Sequence, residues 1–579
     1  MGNKANNSNS ANNGGRKTGP NPTVEELKQK AADAAAGAKG GGCGGGGPAQ
    51  GGSRPVILMK GGAVRSAVED AEKALVQDPI PSVFQRGGRL VRAGQLKGRT
   101  AGGDIVFIPG PVELTPAGIR DEMARVADFL RWDVRKDAWV PGHPTGLIAD
   151  TLMSRVGRWS FDALLSVINC PTLRSDLSIL DRPGFDRQTG IYLMASSIQL
   201  PAAVHSPTRA DAEQALGLLK ELVSEAAFDT AASRSVVLSG MISATIRAAL
   251  DTVPLHAISG PKAGTGKSYL VDMIATLVTG ESAVVVPAGG TLEETVKRLD
   301  TALIEGRLIV SLDNLNGVLK SDTLCTALTQ DMLQVRVLGA SRTVTVPNAA
   351  VFFATGNNLT VGGDLPRRTV LAYLDTGLER PETRVFASDP KARVKADRGA
   401  YIGAIMTIIR WYHRAGRPNA VGLPGFDAWS TLVRSALIEL GEADPCDSMR
   451  ELSVEEPDTA DVRAFIEAWR AADPAVGQPK LVKEIVEIAS TSDPQGGLCW
   501  PELHDVLVAV AGEVRGGRTI DPHRLGGWLR DHHRQTVGGW RIEKSARLAR
   551  AGVAKWFLAR PGAEEAERAQ GNEDEDLFS

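Results

Sequence analysis

Apolar and polar positions follow three rhythms along this chain, and the changes of rhythm mark its parts. In the middle, short and nearly continuous apolar runs recur: Leu255 to Ser259, Ala283 to Val286, Leu308 to Leu312, Ala349 to Ala354 and Thr369 to Leu374. Runs of this length bounded by polar or glycine-rich sequence predict buried strands. Behind the first of them, Tyr269 to Val278 is apolar at helical spacing. Two alternating runs within Leu333 to Val346, set about a Gly-Ala-Ser tip, predict a β-hairpin.

Upstream, residues 55–110 have a β pattern. Pro55 to Lys60 and Asp104 to Ile108 predict strands, and Val83 to Val91 predicts a hairpin about Gly87-Gly88. Pro116 to Trp132 and residues 150–166 predict amphipathic helices, and Cys170 to Asp186 is turn-rich. Downstream, residues 390–475 carry a helical pattern throughout, most regular over Tyr401–His413 and Ala428–Leu440. Trp500 to Val514 predicts a further helix, and Asp521 to His533 another, with Asp521 as N-cap and Pro522 in its first turn. Thr536 to Glu543 and Val553 to Leu558 predict a closing hairpin.

The junction behind Ser259 carries the most specific chemistry: Gly260-Pro261-Lys262-Ala263-Gly264-Thr265-Gly266-Lys267-Ser268-Tyr269. A glycine loop between a strand and a helix aims backbone N–H groups at one anion, and the helix start adds positive potential. Gly264 and Gly266 allow the backbone close to phosphate. Residues 261–269 are therefore the candidate ATP-binding loop, with Lys267 for the β- and γ-phosphates and Ser268 for Mg²⁺. The match to G-x-x-x-x-G-K-[ST] is offset, since Pro261 holds the first glycine position and Gly260 precedes it. A glycine-rich turn with a surface lysine is the plainer alternative.

Further candidates follow in order. Leu308 to Leu312 runs into Asp313, 46 positions past Lys267, a second Mg²⁺ ligand acting through its water shell. Asn314 stands where a water-activating glutamate is expected; an amide aligns a water but takes no proton. Glu293 and Glu294 are acidic alternatives. Asn357, after the next run, is an amide suited to orient the attacking water, and Arg367-Arg368 precede the last run as candidate arginine fingers. Arg336 and Arg342 flank the hairpin tip, where they grip a nucleic-acid backbone or belong to a plain structural hairpin.

Composition sets the outer bounds. The 579 residues are 42% hydrophobic and 23% charged with a net charge of −2, values of an ordinary water-soluble protein of several domains. No apolar run reaches membrane length, so no membrane partner is expected. Cys43, Cys170, Cys325, Cys446 and Cys499 stand singly, which fits reduced thiols in a cytoplasm. The net charge hides a local asymmetry: residues 515–560 hold 11 Lys or Arg against 3 Asp or Glu. Arg524, Arg530, Arg534, Arg541 and Lys544 are the candidate DNA contacts there. Docking of a protein is the alternative use of that surface. No clustered carboxylates suited to metal-assisted nucleotidyl transfer precede the loop, so no polymerising activity is assigned.

Loop, Leu308–Asp313, Ala350–Asn357 and Arg367-Arg368, in this order, resemble the AAA+ (ASCE) branch of P-loop ATPases, near the superfamily 3 helicases. The phrases Ala263–Asp272, Thr291–Leu299, Leu312–Leu315, Phe353–Leu359 and Glu379–Phe386 are similar to helicase-type ATPases of phages, plasmids and integrated mobile elements, of the primase–helicase type. The resemblance implies an α/β fold: an AAA+ P-loop core (231–388) with a helical lid (389–478). It also implies a homo-hexameric ring, ATP and Mg²⁺ as ligands, and single-stranded DNA in the channel. A mixed α+β segment (55–230) precedes the core. Helix, helix and hairpin over 479–561 have the layout of a winged helix for duplex DNA. A Gly- and Asn-rich arm (1–54) is expected to be disordered, and the acidic tail (562–579) is expected to be a solubilising end or a docking peptide for a replication partner. The function so implied is an ATP-dependent DNA helicase or translocase in replication, alongside a separate primase or other replication partner. The alternative is an ATP-switched DNA-binding initiator or loader with little unwinding.

Overall fold

In the computed structural model the described residues are 54–99, 105–287, 292–315, 318–337, 342–449, 457–512, 519–545 and 554–560. The expected arm up to residue 53, the tip of the Leu333–Val346 hairpin and the acidic tail lie outside them. The molecule is mixed α/β. Its centre is a five-stranded parallel sheet of β1 (Leu255–Gly260), β2 (Val285–Pro287), β3 (Ile309–Leu315), β4 (Val351–Asn357) and β5 (Thr369–Tyr373), in the order β2-β3-β4-β1-β5. Every residue of β1 is buried, as a central parallel strand with both faces covered must be. That is why the strands appear in the sequence as unbroken apolar runs rather than as alternations.

The sheet's ladder is tight at two glycines. A Cβ on Gly260 would stand 2.6 Å from the Leu374 carbonyl oxygen, and one on Gly356 would stand 2.5 Å from that of Leu315. Behind β1, the buried His256 ring shares a 3.0 Å hydrogen bond with the Ser239 hydroxyl of helix Ala231–Thr245. Burial pushes that imidazole down to about 3, so it stays neutral. Trp429, fully buried, donates from Nε1 to Ser243 Oγ at 2.9 Å and joins the later helices to the same core.

Several elements differ from expectation. The helix expected over Pro116–Trp132 stops at Val126, and Asp128–Asp133 is a strand paired parallel to Val56–Met59. Pairing with a distant strand there overrides helical periodicity. The helix expected over 150–166 spans Gly146–Ser154; the Trp159 indole donates to Leu152 O at 2.7 Å and the chain turns at Gly157, φ +78. The 390–475 stretch is not continuous helix. Pro390–Ala396 and Arg398–Arg414 are followed by a loop through left-handed Gly416, Arg417 and Asn419. A helix over 427–439 has a π turn at Ser430–Arg434. The helix Pro457–Ala472 packs Val462, Phe465 and Trp469 into the C-terminal core with Leu507, Leu525 and Trp556, away from the helices before it.

That C-terminal core holds helices Val482–Ala489, Pro501–Ala511 and Pro522–Asp531 and a four-stranded antiparallel sheet. Thr536–Val537 turns back on Trp540–Lys544 through Gly538-Gly539, and Trp540–Lys544 pairs with Lys555–Ala559. No helix of the described residues is long and apolar enough to cross a membrane.

Glu442 ties the layers together. Its side chain is 3% exposed and accepts from Lys220 Nζ at 2.7 Å and Arg234 Nη2 at 2.9 Å, on helices Arg209–Leu222 and Ala231–Thr245. Burial pushes its carboxyl up, but the two cations outweigh burial and hold it below its ordinary value of 4.5. A depressed folded value means the stabilisation is present above about pH 4.5 and is lost as pH falls through the folded value. Glu442→Gln should therefore lower the unfolding midpoint at pH 7 by the equivalent of about 2 kcal/mol. The gap from wild type should close in acid, and a calorimetric gap that persists unchanged to pH 3 would contradict this account.

Candidate functional site

β1 ends at Gly260, and the chain then turns through the glycine loop into helix α1, Lys267–Thr279. Gly264 and Gly266 sit at φ +80 and +94, the left-handed region that a side chain resists. Gly266 is the N-cap and supplies no side-chain hydrogen bond, so the first amides of α1 remain available to an anion. The offset first glycine has a packing role. Gly260 must pass the Leu374 carbonyl, while Pro261 begins the turn half-buried.

The Lys267 side chain folds back under its own loop. Its Nζ donates to Lys262 O at 2.7 Å, Thr265 Oγ1 at 3.0 Å and Asn357 Oδ1 at 2.9 Å. Burial lowers its pKa, and the nearby Asp313 carboxylate works against that shift. Beside it Ser268 Oγ donates to Asp313 Oδ1 at 2.7 Å, and the Thr355 hydroxyl donates to the same oxygen. Two hard oxygen ligands thus converge at the mouth of a cavity of about 510 Å³. Mg²⁺ is held by one or two protein oxygens with water and phosphate completing six positions, so this pair fits the ion. The described residues contain no group of three or more His, Cys, Asp or Glu suited to a metal.

Asn314 lines the same cavity in an unusual way. It sits at φ +55 in a bulge between Leu312 and Leu315, exposed, with its N–H donating to Thr355 Oγ1 at 3.3 Å. Asn357 ends β4 and is engaged by Lys267. Glu294 is engaged by Arg298 on its own helix and does not line the cavity. The side chain of Glu293 lies outside the described residues.

Arg367 and Arg368 lie at the other end of the sheet. Thr369 pairs with Leu255, the first residue of β1, so the arginines stand about 16 Å from the loop at about 3.3 Å per residue. Asp364 binds both. Arg368, 15% exposed, also donates to Cys325 O and Thr329 Oγ1; Arg367 is 68% exposed.

A second cavity, of about 380 Å³, opens on the far side of Gly264–Gly266 and Tyr269. The Arg384 guanidinium lies 4.9 Å from the Phe386 ring centre and donates to Glu225 O. The Glu225 carboxylate accepts from the Ala387 and Ser388 amides and the Ser388 hydroxyl. Tyr269 donates to Asp389, and Lys262 Nζ donates to Glu379 O. Glu225 and Asp389 were not legible as site residues, because nothing local in the sequence links them to the loop.

Of the basic candidates, Arg336 and Arg342 are exposed on the hairpin Met332–Arg336/Thr343–Pro347 and its edge. Arg524 donates to Gly512 O, and Arg541 is 2.6 Å from Glu543, which also receives His533 and, at 3.9 Å, Arg534. Arg530 and Lys544 are exposed. Arg470 and Arg560 stack on Trp540 at 4.6 and 4.9 Å, a feature the sequence did not suggest.

No protein-family model and no curated protein matches the chain. Among solved structures it is similar to the apo A form of the NrS-1 C-terminal region, at 13% identity over 77% of this chain and 100% of that one, TM-score 0.33. A second structure of that region, covering residues 305–718, gives 12% identity over 76% and 98%, TM-score 0.32. JCV Helicase bound to an acetamide compound gives 12% identity over 44% and 76%, TM-score 0.17.

The two arginines should separate in a stability measurement. Arg368→Ala removes part-buried charge-assisted hydrogen bonds to Cys325 O, Thr329 Oγ1 and Asp364 and should cost about 2–3 kcal/mol, whereas Arg367→Ala removes an exposed pair worth under about 1 kcal/mol. Equal shifts in thermal unfolding would refute this division of roles.

Proposed function

We propose that the chain is a Mg²⁺-dependent ATP hydrolase of the AAA+ P-loop type that works as a DNA helicase or translocase in replication of a phage, plasmid or integrated mobile element. The observation that carries this reading is the meeting of Lys267, Ser268, Asp313 and Asn357 in one cleft at the C-terminal edge of a parallel sheet. Lys267 exchanges its neutral acceptors for β- and γ-phosphate oxygens, and the free amides of the loop take the remaining phosphate charge. Ser268 and Asp313 hold Mg²⁺, which when bound neutralises charge between those phosphates. Asn357, released by Lys267, orients the attacking water beside Asn314. The nucleoside end lies along Tyr269 in the second cavity, with Arg384 and Phe386 as its wall.

Arg367 stands too far from its own loop to touch its nucleotide, which supports its acting on a neighbour's within a homo-hexameric ring. Arg336 and Arg342 then face single-stranded DNA in the channel. The C-terminal unit serves as a winged helix for duplex DNA, with Arg530 and Lys544 as its open cations. A second reading, an ATP-switched initiator or loader with little unwinding, is favoured by one observation: neither amide at the water position accepts a proton.

ATP hydrolysis measured with and without single-stranded DNA decides between them. Stimulation by DNA that is abolished in Lys267→Ala supports the motor. Tight ATP binding with slow turnover indifferent to DNA removes the helicase reading and leaves the switch. Equimolar mixing of Lys267→Ala with Arg367→Ala should restore part of the lost turnover if the arginine serves a neighbour.

A further inference from the structure

The long hairpin Arg89–Arg99/Ile105–Glu113 has no part in the function described so far. It is rooted on the core beside the Arg336 hairpin. The turn ahead of it brings Gly87 against Val346 and Val344, and Pro111 packs on Gly306. Arg86, just before that turn, is buried and donates to Leu303 O and Pro347 O at 3.1 Å each. Near this root the hairpin is well covered: Val91 packs with Phe84, Leu164 and Val167.

Further out, the same face runs past its support. Gln95 pairs with Pro109, Lys97 with Phe107 and Arg99 with Ile105, all on the face that begins at Val91. There Phe107 is 53% exposed and Ile105 49% exposed, and Gln95 and Lys97 are exposed beside them. Among the described residues Lys97 has no carboxylate within ion-pair distance. A flat aromatic ring directly across the strands from an unneutralised ammonium suits a strand that offers bases and phosphates at alternate levels. An apolar protein partner would leave that ammonium buried without a counter-charge.

We infer that the outer half of this hairpin is a single-stranded nucleic-acid contact, with Phe107 as a base-stacking platform and Lys97 as its phosphate partner. The inference rests on the nucleic-acid side of the proposed function and is indifferent to the rate of hydrolysis.

The test is binding of fluorescein-labelled oligo(dT) to the full-length protein at several salt concentrations. Phe107→Ala should weaken binding roughly 5- to 150-fold, the range of one base–aromatic stack, and Phe107→Tyr should restore it. Lys97→Ala should weaken binding and reduce the salt slope by about 0.7. Turnover without DNA should stay at the wild-type rate in all three, because none of them touches the nucleotide cleft. Unchanged affinity in Phe107→Ala overturns the inference, and a loss confined to Arg336→Ala would leave the proposed function standing without it. Failure of the wild type to bind oligo(dT) at low salt overturns both. A change of sedimentation coefficient in Phe107→Ala with DNA affinity intact assigns the patch to a second copy of the chain and overturns the inference as well.

Discussion

The structure turns on one buried ammonium. Lys267 is held by a carbonyl, a hydroxyl and a side-chain amide, all uncharged, and the nearest carboxylate, Asp313, is already occupied by Ser268 and Thr355. Neutral oxygens satisfy its hydrogen bonds without cancelling its charge, and burial accordingly pushes its pKa down. In the proposed function the phosphates of ATP supply the missing charge. Two of the Lys267 bonds close the loop on itself, and the third ties it to β4 through Asn357. The glycines follow from this: Gly260 must clear the Leu374 carbonyl, and Gly264 and Gly266 must take left-handed turns to bring Lys267 back beneath them.

Parallel pairing imposes the second constraint. All strand C-termini share one edge, so Lys267, Asp313 and Asn357 meet there although they come from distant parts of the chain. The residues that precede β5 must then lie at the opposite edge. Within the arginine pair, Arg368 is committed to Cys325, Thr329 and Asp364 of its own chain. Arg367 shares only Asp364 and faces solvent. One arginine holds the other's platform, a division that two adjacent identical residues conceal.

The sequence revealed most where burial was uniform. The strands of the sheet appear as apolar runs because both faces are covered, and the loop was readable because its chemistry is local. The Leu333–Val346 hairpin was readable because its alternation matches one buried face. Errors arose where tertiary contacts overrule a local pattern. Asp128–Asp133 fits a helix until Val56–Met59 pairs with it, and the helix after Gly146 ends where Trp159 folds back. Helix Pro457–Ala472 is amphipathic in either neighbourhood, and periodicity alone does not say which core receives it. Asn314 was visible as a missing glutamate, but its left-handed bulge was not, since the bulge comes from the pairing of β3 with β4. Likewise the cavity formed by Glu225, Arg384 and Phe386 joins residues about 160 positions apart in sequence.

The N-terminal segment is attached to the core by chemistry that resists sliding. The Arg86 guanidinium donates to Leu164 O and Leu165 O from one nitrogen and to Leu303 O and Pro347 O from the other. Burial lowers it to about 10, still well above neutrality, so it remains a cation in place. Separating the N-terminal hairpin from the Met332–Pro347 hairpin would strip acceptors from a buried charge, which costs more than losing a neutral hydrogen bond. Asp300 reinforces the joint, accepting the Arg336 amide at 3.1 Å from the helix whose end carries Leu303. The root of the N-terminal hairpin and the Met332–Pro347 hairpin are therefore joined through one buried cation.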